Sequence, residues 1–261
     1  MAENPPTTTR FGRRDNAGFT LAELAIALLI VGLLIGGLMA PLTTQIDSRN
    51  SSETRRTLAE IHEALLGFAA ANDRLPCPAS ATSNGQESFA AGGSATDGNC
   101  LDFYGGFLPA VTLGITPTDQ DGFAIDAWGQ RIRYAVSQGP AIGSVAHPFT
   151  QSNGIKDATM SSISGQDLLF VCATATGVTS SGCGGAAVKL TDKAPAVFFS
   201  TGKNAGSGAG TDESKNLDGD RVFIFHEHTS SSATNGEFDD LVTWLSPNVL
   251  YNRMIAAGRL P

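Results

Sequence analysis

"RRDNAGFTLAELAIALLIVGLLIGGLMAPL", Arg13–Leu42, decides how the rest of this chain is read. From Leu24 to Leu42 it runs for 19 residues without a charge. At about 1.5 Å per residue, a helix of that length spans roughly 28 Å, close to the hydrocarbon thickness of a bilayer. Arg13 and Arg14 precede it, so the positive-inside rule places the N-terminus in the cytoplasm and the remainder on the far side. Glu23 breaks the pattern, because a carboxylate at the edge of a hydrocarbon core costs about 2.5 kcal/mol or more.

Three readings compete. A secretory signal peptide needs a small-x-small cleavage site just after the apolar run, and there Pro41 directly follows Ala40. A plain membrane anchor explains the length of the run and leaves Glu23 unexplained. The third reading places processing before the run, at Gly18–Phe19. Residues 18–37, "GFTLAELAIALLIVGLLIGG", resemble the class III signal of type IV pilins and type II secretion pseudopilins. That signal is a short basic leader, a glycine, Phe-Thr-Leu-x-Glu and an apolar run.

The resemblance implies a division of labour. Residues 1–18 are a leader removed by a prepilin peptidase and methyltransferase, Gly18 its last residue and Phe19 the methylated new N-terminus. Residues 19–42 are a transmembrane and assembly helix. Before assembly the chain crosses the bacterial inner membrane once. Afterwards it stands in a periplasmic or extracellular filament with other pilin or pseudopilin subunits. Glu23 is the acidic residue that a buried bundle tolerates only if paired. The free amine of Phe19, its own or a neighbour's, is the natural partner. One such charge fixes axial register, as a single polar residue does in a coiled coil.

Residues 43–75 continue the helix. Leu58, Ile61, Leu65 and Phe68 make one apolar stripe at helical spacing, and "NDRLPCP" ends it. Gly32, Gly36, Gly37 and Pro41 weaken its middle and predict a kink or local melting. Residues 76–261 form the extracytoplasmic domain. An irregular stretch, 76–125, leads to strand-like runs at 131–137, 167–173, 196–201, 221–228 and 240–246. Residues 246–258 form a short helix with Ser246 as N-cap, Pro247 at the first position and Gly258 as C-cap. The expected fold is therefore α+β, pilin-like, with a long N-terminal helix packed on an antiparallel sheet and a short C-terminal helix.

The domain also resembles that family. "DAWGQRIRYAV" is similar to the Asp-x-Trp-Gly segment of major pseudopilins, and "STGKN" with "DDLVTW" to their Ser-x-Gly-x-Asp and Asp-Ile-Val-x-Trp ending. Two departures matter: Asn204 stands where Asp is usual, and about 35 residues separate the two pieces. The ending lies beside a calcium loop in those relatives. That makes Asp218, Asp220, Asp239 and Asp240 candidate calcium ligands, hard oxygens that suit the ion. Read as residues alone, they are equally ordinary turn residues.

Four cysteines, Cys77, Cys100, Cys172 and Cys183, allow three pairings or four buried thiols. Cys77–Cys100 and Cys172–Cys183 close the short loops, and an exported domain meets an oxidising compartment. A net charge of −8 argues against a nucleic-acid partner. An enzyme is not expected: G-x-S-x-G and H-E-x-x-H are missing, and His226 and His228 have no evident third ligand. Two function classes remain. One is a filament subunit, its residues 19–261 large for a major pseudopilin and so pointing to a minor one. The other is a membrane-anchored binding or adhesion module.

Overall fold

The computed structural model describes residues 20–185, 187–205 and 210–260, without the side chains of 36–43. The chain divides into two compact units, Met1–Ile46 and Asp47–Pro261. One helix, α1 (Leu21–Asn72), has residues in both. It stays helical through Gly32, Gly36, Gly37 and Pro41, so the expected local melting does not occur. Among the described residues no helix is long and apolar enough to cross a membrane. The apolar run of the sequence continues into residues 36–43, whose side chains are not described.

In the second unit, α1 buries Leu58, Ile61 and Leu65 of the expected stripe together with Leu66 and Ala69, all at most 2% exposed, while Phe68, the fourth expected member, is only half-buried. They pack on a four-stranded antiparallel sheet of β1 (Gly106–Phe107), β2 (Arg133–Val136), β5 (Ala196–Ser200) and β7 (Leu241–Trp244), in that order. Side chains alternate across a strand. Tyr134, Val136, Ala196 and Phe198 therefore face the helix core, while Ala135, Val197, Phe199 and Val242 face the other side. That second face packs on a smaller sheet, β4–β3–β6, built from β3 (Leu169–Cys172), β4 (Lys189–Ala194) and β6 (Val222–Ile224). The expected single antiparallel sheet is thus two sheets, and β3 pairs with β6 in parallel. The long connection between those strands, through β4 and β5, permits it.

Short helices α2 (Ala110–Leu113), α3 (Gly154–Asp157), α4 (Met160–Ser164) and α5 (Thr211–Asn216) sit in the connections. The last helix, α6 (Pro247–Ala256), begins as expected at Ser246. Its end is a Schellman motif: Arg259 N–H reaches Met254 O, Gly258 N–H reaches Ile255 O, and Gly258 takes the left-handed φ of +69°. The C-cap is therefore Ala257, one residue before the expected glycine. Arg259 then donates to Ala70 O and Ala71 O, which satisfies the free carbonyls at the end of α1. Cys77 bonds Cys100 and Cys172 bonds Cys183, with Cα separations of 5.3 and 5.7 Å.

Candidate assembly motif and acidic cluster

Gly18 and Phe19, the expected processing residues, lie outside the described residues. Glu23 lies in the first turn of α1. Its Oε2 accepts from both Thr20 N–H and Thr20 Oγ1 at 2.9 Å, while its own N–H donates to Thr20 Oγ1 at 3.2 Å. This reciprocal pair is a capping box, which satisfies N–H groups that the first helical turn leaves without carbonyls. The signal lay in the sequence: Thr20-Leu21-Ala22-Glu23 fits Ser/Thr-x-x-Glu. Reading Glu23 only as an intruder in an apolar run hid it. Beyond the cap, the large apolar side chains from Leu21 to Ile35 are 48–87% exposed. They include the consecutive Leu28, Leu29, Ile30 and Val31 and so occupy every face of the helix. A helix that is apolar all round is one that lipid or other helices cover.

The acidic cluster begins with strand register. Ser200 of β5 opposes Leu241 of β7, which brings the "STGKN" loop beside "DDLVTW". Lys203 and Asn204 N–H groups donate to Asp239 Oδ2 at 2.9 and 3.2 Å. Gly202 takes φ +62°, and a Cβ there would lie 2.3 Å from Asp239 Oδ1, so only glycine lets this loop close on the carboxylate. Asp126, of the "DAWGQ" turn, accepts from Ser200 Oγ and from Trp128 and Gln130 N–H, which ties that turn to the end of β5.

Three carboxylates, Glu213, Asp239 and Asp240, have oxygens that all lie within 4.8 Å of one another. Glu213 comes from α5, inside the inserted segment. Its carboxylate accepts from Asn204 Nδ2 at 3.0 Å and from Asp239 N–H at 2.6 Å. The insertion therefore brings an acid to the place where Asn204 lacks one. Sequence reasoning missed Glu213 because nothing local marks it; only the fold of the insertion carries it there. Two of the four candidate ligands are placed elsewhere: Asp218 and Asp220 are both salt-bridged to Lys215. His226 and His228 line the same cleft as Asp239 and Asp240 but are not part of the close carboxylate group. β6 ends at Ile224, and His226 stacks on Phe238 at 4.0 Å with Nε2 3.1 Å from Asp212.

Electrostatics marks the cluster as short of positive charge. Burial, aided by the charges of Glu213 and Asp239, pushes Asp240 up to about 8. Burial likewise raises Glu213. Asp240 Oδ2 takes a hydrogen bond from Asn216 at 2.7 Å, but Oδ1 of Asp239 and Oδ1 of Asp240 are buried without a partner. Buried acceptors in that state cost free energy unless something donates to or coordinates them. Two unpartnered carboxylate oxygens and a third acid fit a hard cation.

Compared with known proteins, residues 13–39 match the model of the prokaryotic N-terminal methylation motif. This motif is the signature of type IV pilin and pseudopilin prepilin leaders. It indicates a pilin-like or pseudopilin precursor, points to a structural subunit rather than an enzyme, and implies a prepilin peptidase and fellow pilin subunits as partners. No curated protein and no solved structure matches the chain.

Proposed function

We propose that this chain is a minor subunit of a type IV pilus or type II secretion pseudopilus. It is cut after Gly18, methylated at Phe19 and held in the inner membrane by residues 19–42 until assembly. The observation that carries this reading is the methylation motif at residues 13–39, joined to a helix whose large apolar residues from Leu21 to Ile35 lie exposed. Glu23 serves twice: it caps α1, and in the filament its carboxylate pairs with the Phe19 amine. Intact-mass measurement of protein from native membranes tests the processing step. A chain beginning at methylated Phe19 is expected; one beginning beyond Ala40 would restore the signal-peptide reading. Glu23→Val is expected to keep membrane insertion, since removing a charge favours it, and to lower filament incorporation.

Calcium is the second part of the proposal. Asp239, Asp240 and Glu213 would hold it, supplying negative charge and hard oxygens. The ion would neutralise a crowded group of acids at the junction of β5 and β7. Millimolar calcium is expected to raise the thermal midpoint of metal-free protein; an unchanged midpoint removes the ion from the account.

A further inference from the structure

Helix α6 begins without a side-chain cap. Ser246 stands at its N-cap in extended conformation, yet its hydroxyl makes no capping hydrogen bond. Pro247 follows at the first position and has no N–H to satisfy. The next two N–H groups, of Asn248 and Val249, fall among those that a first turn leaves without carbonyls. The ladder opens after them, with Leu250 N–H donating to Ser246 O. No acidic side chain lies in this first turn, so the partial positive charge of a helix start, about +0.5, is not answered within it.

Ser246, Pro247 and Asn248 form one side of a cavity of about 350 Å³, within the range of small-molecule sites. Met160, Ile163 and Leu168, from α4 and the start of β3, make an apolar side. Tyr251, one turn into α6, lines it as well. Tyr251 is 3% exposed, and its hydroxyl has no hydrogen-bond partner. A buried phenol in that state costs free energy until something accepts from it. Burial pushes this phenol up to about 12, so it stays a donor at any ordinary pH. Lys193 is the one charged residue of the wall among the described residues. It is already spent, on Gln166 O at 2.7 Å and on Asp167 at 3.1 Å. The cavity thus has donors to spare and no negative charge of its own.

We propose that this cavity binds a small organic carboxylate with an apolar body. The carboxylate takes the free N–H groups at the start of α6 and the Ser246 hydroxyl, as anions do at helix N-termini. The apolar body lies against Met160, Ile163 and Leu168, and the Tyr251 hydroxyl gains an acceptor. A phosphate would call for an unpaired Arg or Lys, which the wall lacks. The site shares no residue with the acidic cluster, and it stands whether or not the chain assembles into a filament.

The test is equilibrium dialysis of full-length protein in detergent against hexanoate, with detergent alone to subtract what micelles take up. Hexanoate is expected to bind about tenfold more tightly than hexanamide, which has the same body without the charge. Ser246→Asp places a carboxylate at the N-cap, where Asp is among the best residues. It is expected to raise the thermal midpoint and to abolish hexanoate binding. Tyr251→Phe is expected to weaken hexanoate about fivefold, the worth of one hydrogen bond, with the thermal midpoint of the unliganded protein retained or raised. N-acetylleucine presents the same group as the end of a polypeptide does. Whichever of it and hexanoate binds more tightly shows whether the site takes a chain end or a free acid. Failure of both to bind, equal binding of hexanoate and hexanamide, or hexanoate binding that survives Ser246→Asp overturns the proposal.

Discussion

The two halves of α1 are built from the same apolar residue types and meet opposite fates. Between Leu21 and Ile35 they lie exposed. From Leu58 onward they form a stripe sealed against β2 and β5. The difference is one of period. The second half spaces its apolar residues three and four apart and supplies Arg55, Arg56, Glu60 and Glu63 for the water side. The first half has apolar residues on every face, so no single sheet can cover it. One half contributes to this chain's core, and the other leaves large apolar side chains exposed on every face.

The comparison breaks most visibly by truncation. Leu65→Ala should cost about 2–5 kcal/mol, the transfer term plus a cavity. Leu29→Ala should leave the unfolding of detergent-solubilised protein almost unchanged. Denaturant titration of both variants checks the contrast; equal losses would mean that the first half also packs within the chain. Next in size is the bridge at the foot of the helix. Replacing Cys77 and Cys100 together by Ser should cost about 3 kcal/mol by the loop-entropy estimate, read as a lower denaturation midpoint. Arg74, just before the loop, bonds Glu87 within it at 2.8 and 2.6 Å and should keep the loop folded at low denaturant.

Much of this was legible in the sequence, for reasons that explain the gaps. The helix stripe, β2, β3, β5, β7 and α6 each carry a local period or a stop signal. β4 does not: "KLTDKA" has a single large apolar residue, Leu190, and breaks alternation with Thr-Asp-Lys, its residues exposed or half-buried until Ala194, so it reads as a loop. The cysteine pairing followed from short loops. The acidic cluster was only half legible. Asp239 and Asp240 adjoin a strand with a recognisable ending, whereas Glu213 arrives by tertiary placement, and Asp218 and Asp220 look alike in sequence but belong to Lys215.

Asp240 carries the next prediction, a pH dependence. Its folded value, about 8, stands above the ordinary carboxylate near 3.9. A group raised on folding stabilises the fold below its unfolded value, and that contribution is lost as pH rises through the folded one. Metal-free protein should therefore lose stability between about pH 4 and pH 8. Calcium should reverse the loss, by about 2.7 kcal/mol at a hundredfold excess over its dissociation constant, and more strongly at pH 8 than at pH 5. Asp240→Asn should flatten both trends. A calcium shift of equal size at both pH values would show that the ion binds away from Asp240.

The smallest effect sharpens the comparison at its exposed end. Thr20→Ala removes the hydroxyl that anchors the capping box. Loss of such a cap costs about 1 kcal/mol, equivalent to roughly fivefold faster hydrogen exchange in the first turn of α1. The thermal midpoint of the second unit should not move, because residue 20 lies outside it. Glu23→Gln then divides the two duties assigned to Glu23. Glutamine still accepts at the third position of a capping box, so exchange should stay slow. It carries no charge to pair with an amine, so filament incorporation should fall towards that of Glu23→Val. Normal assembly of Glu23→Gln would make the cap the whole reason for the residue. Fast exchange together with normal assembly would leave neither duty standing.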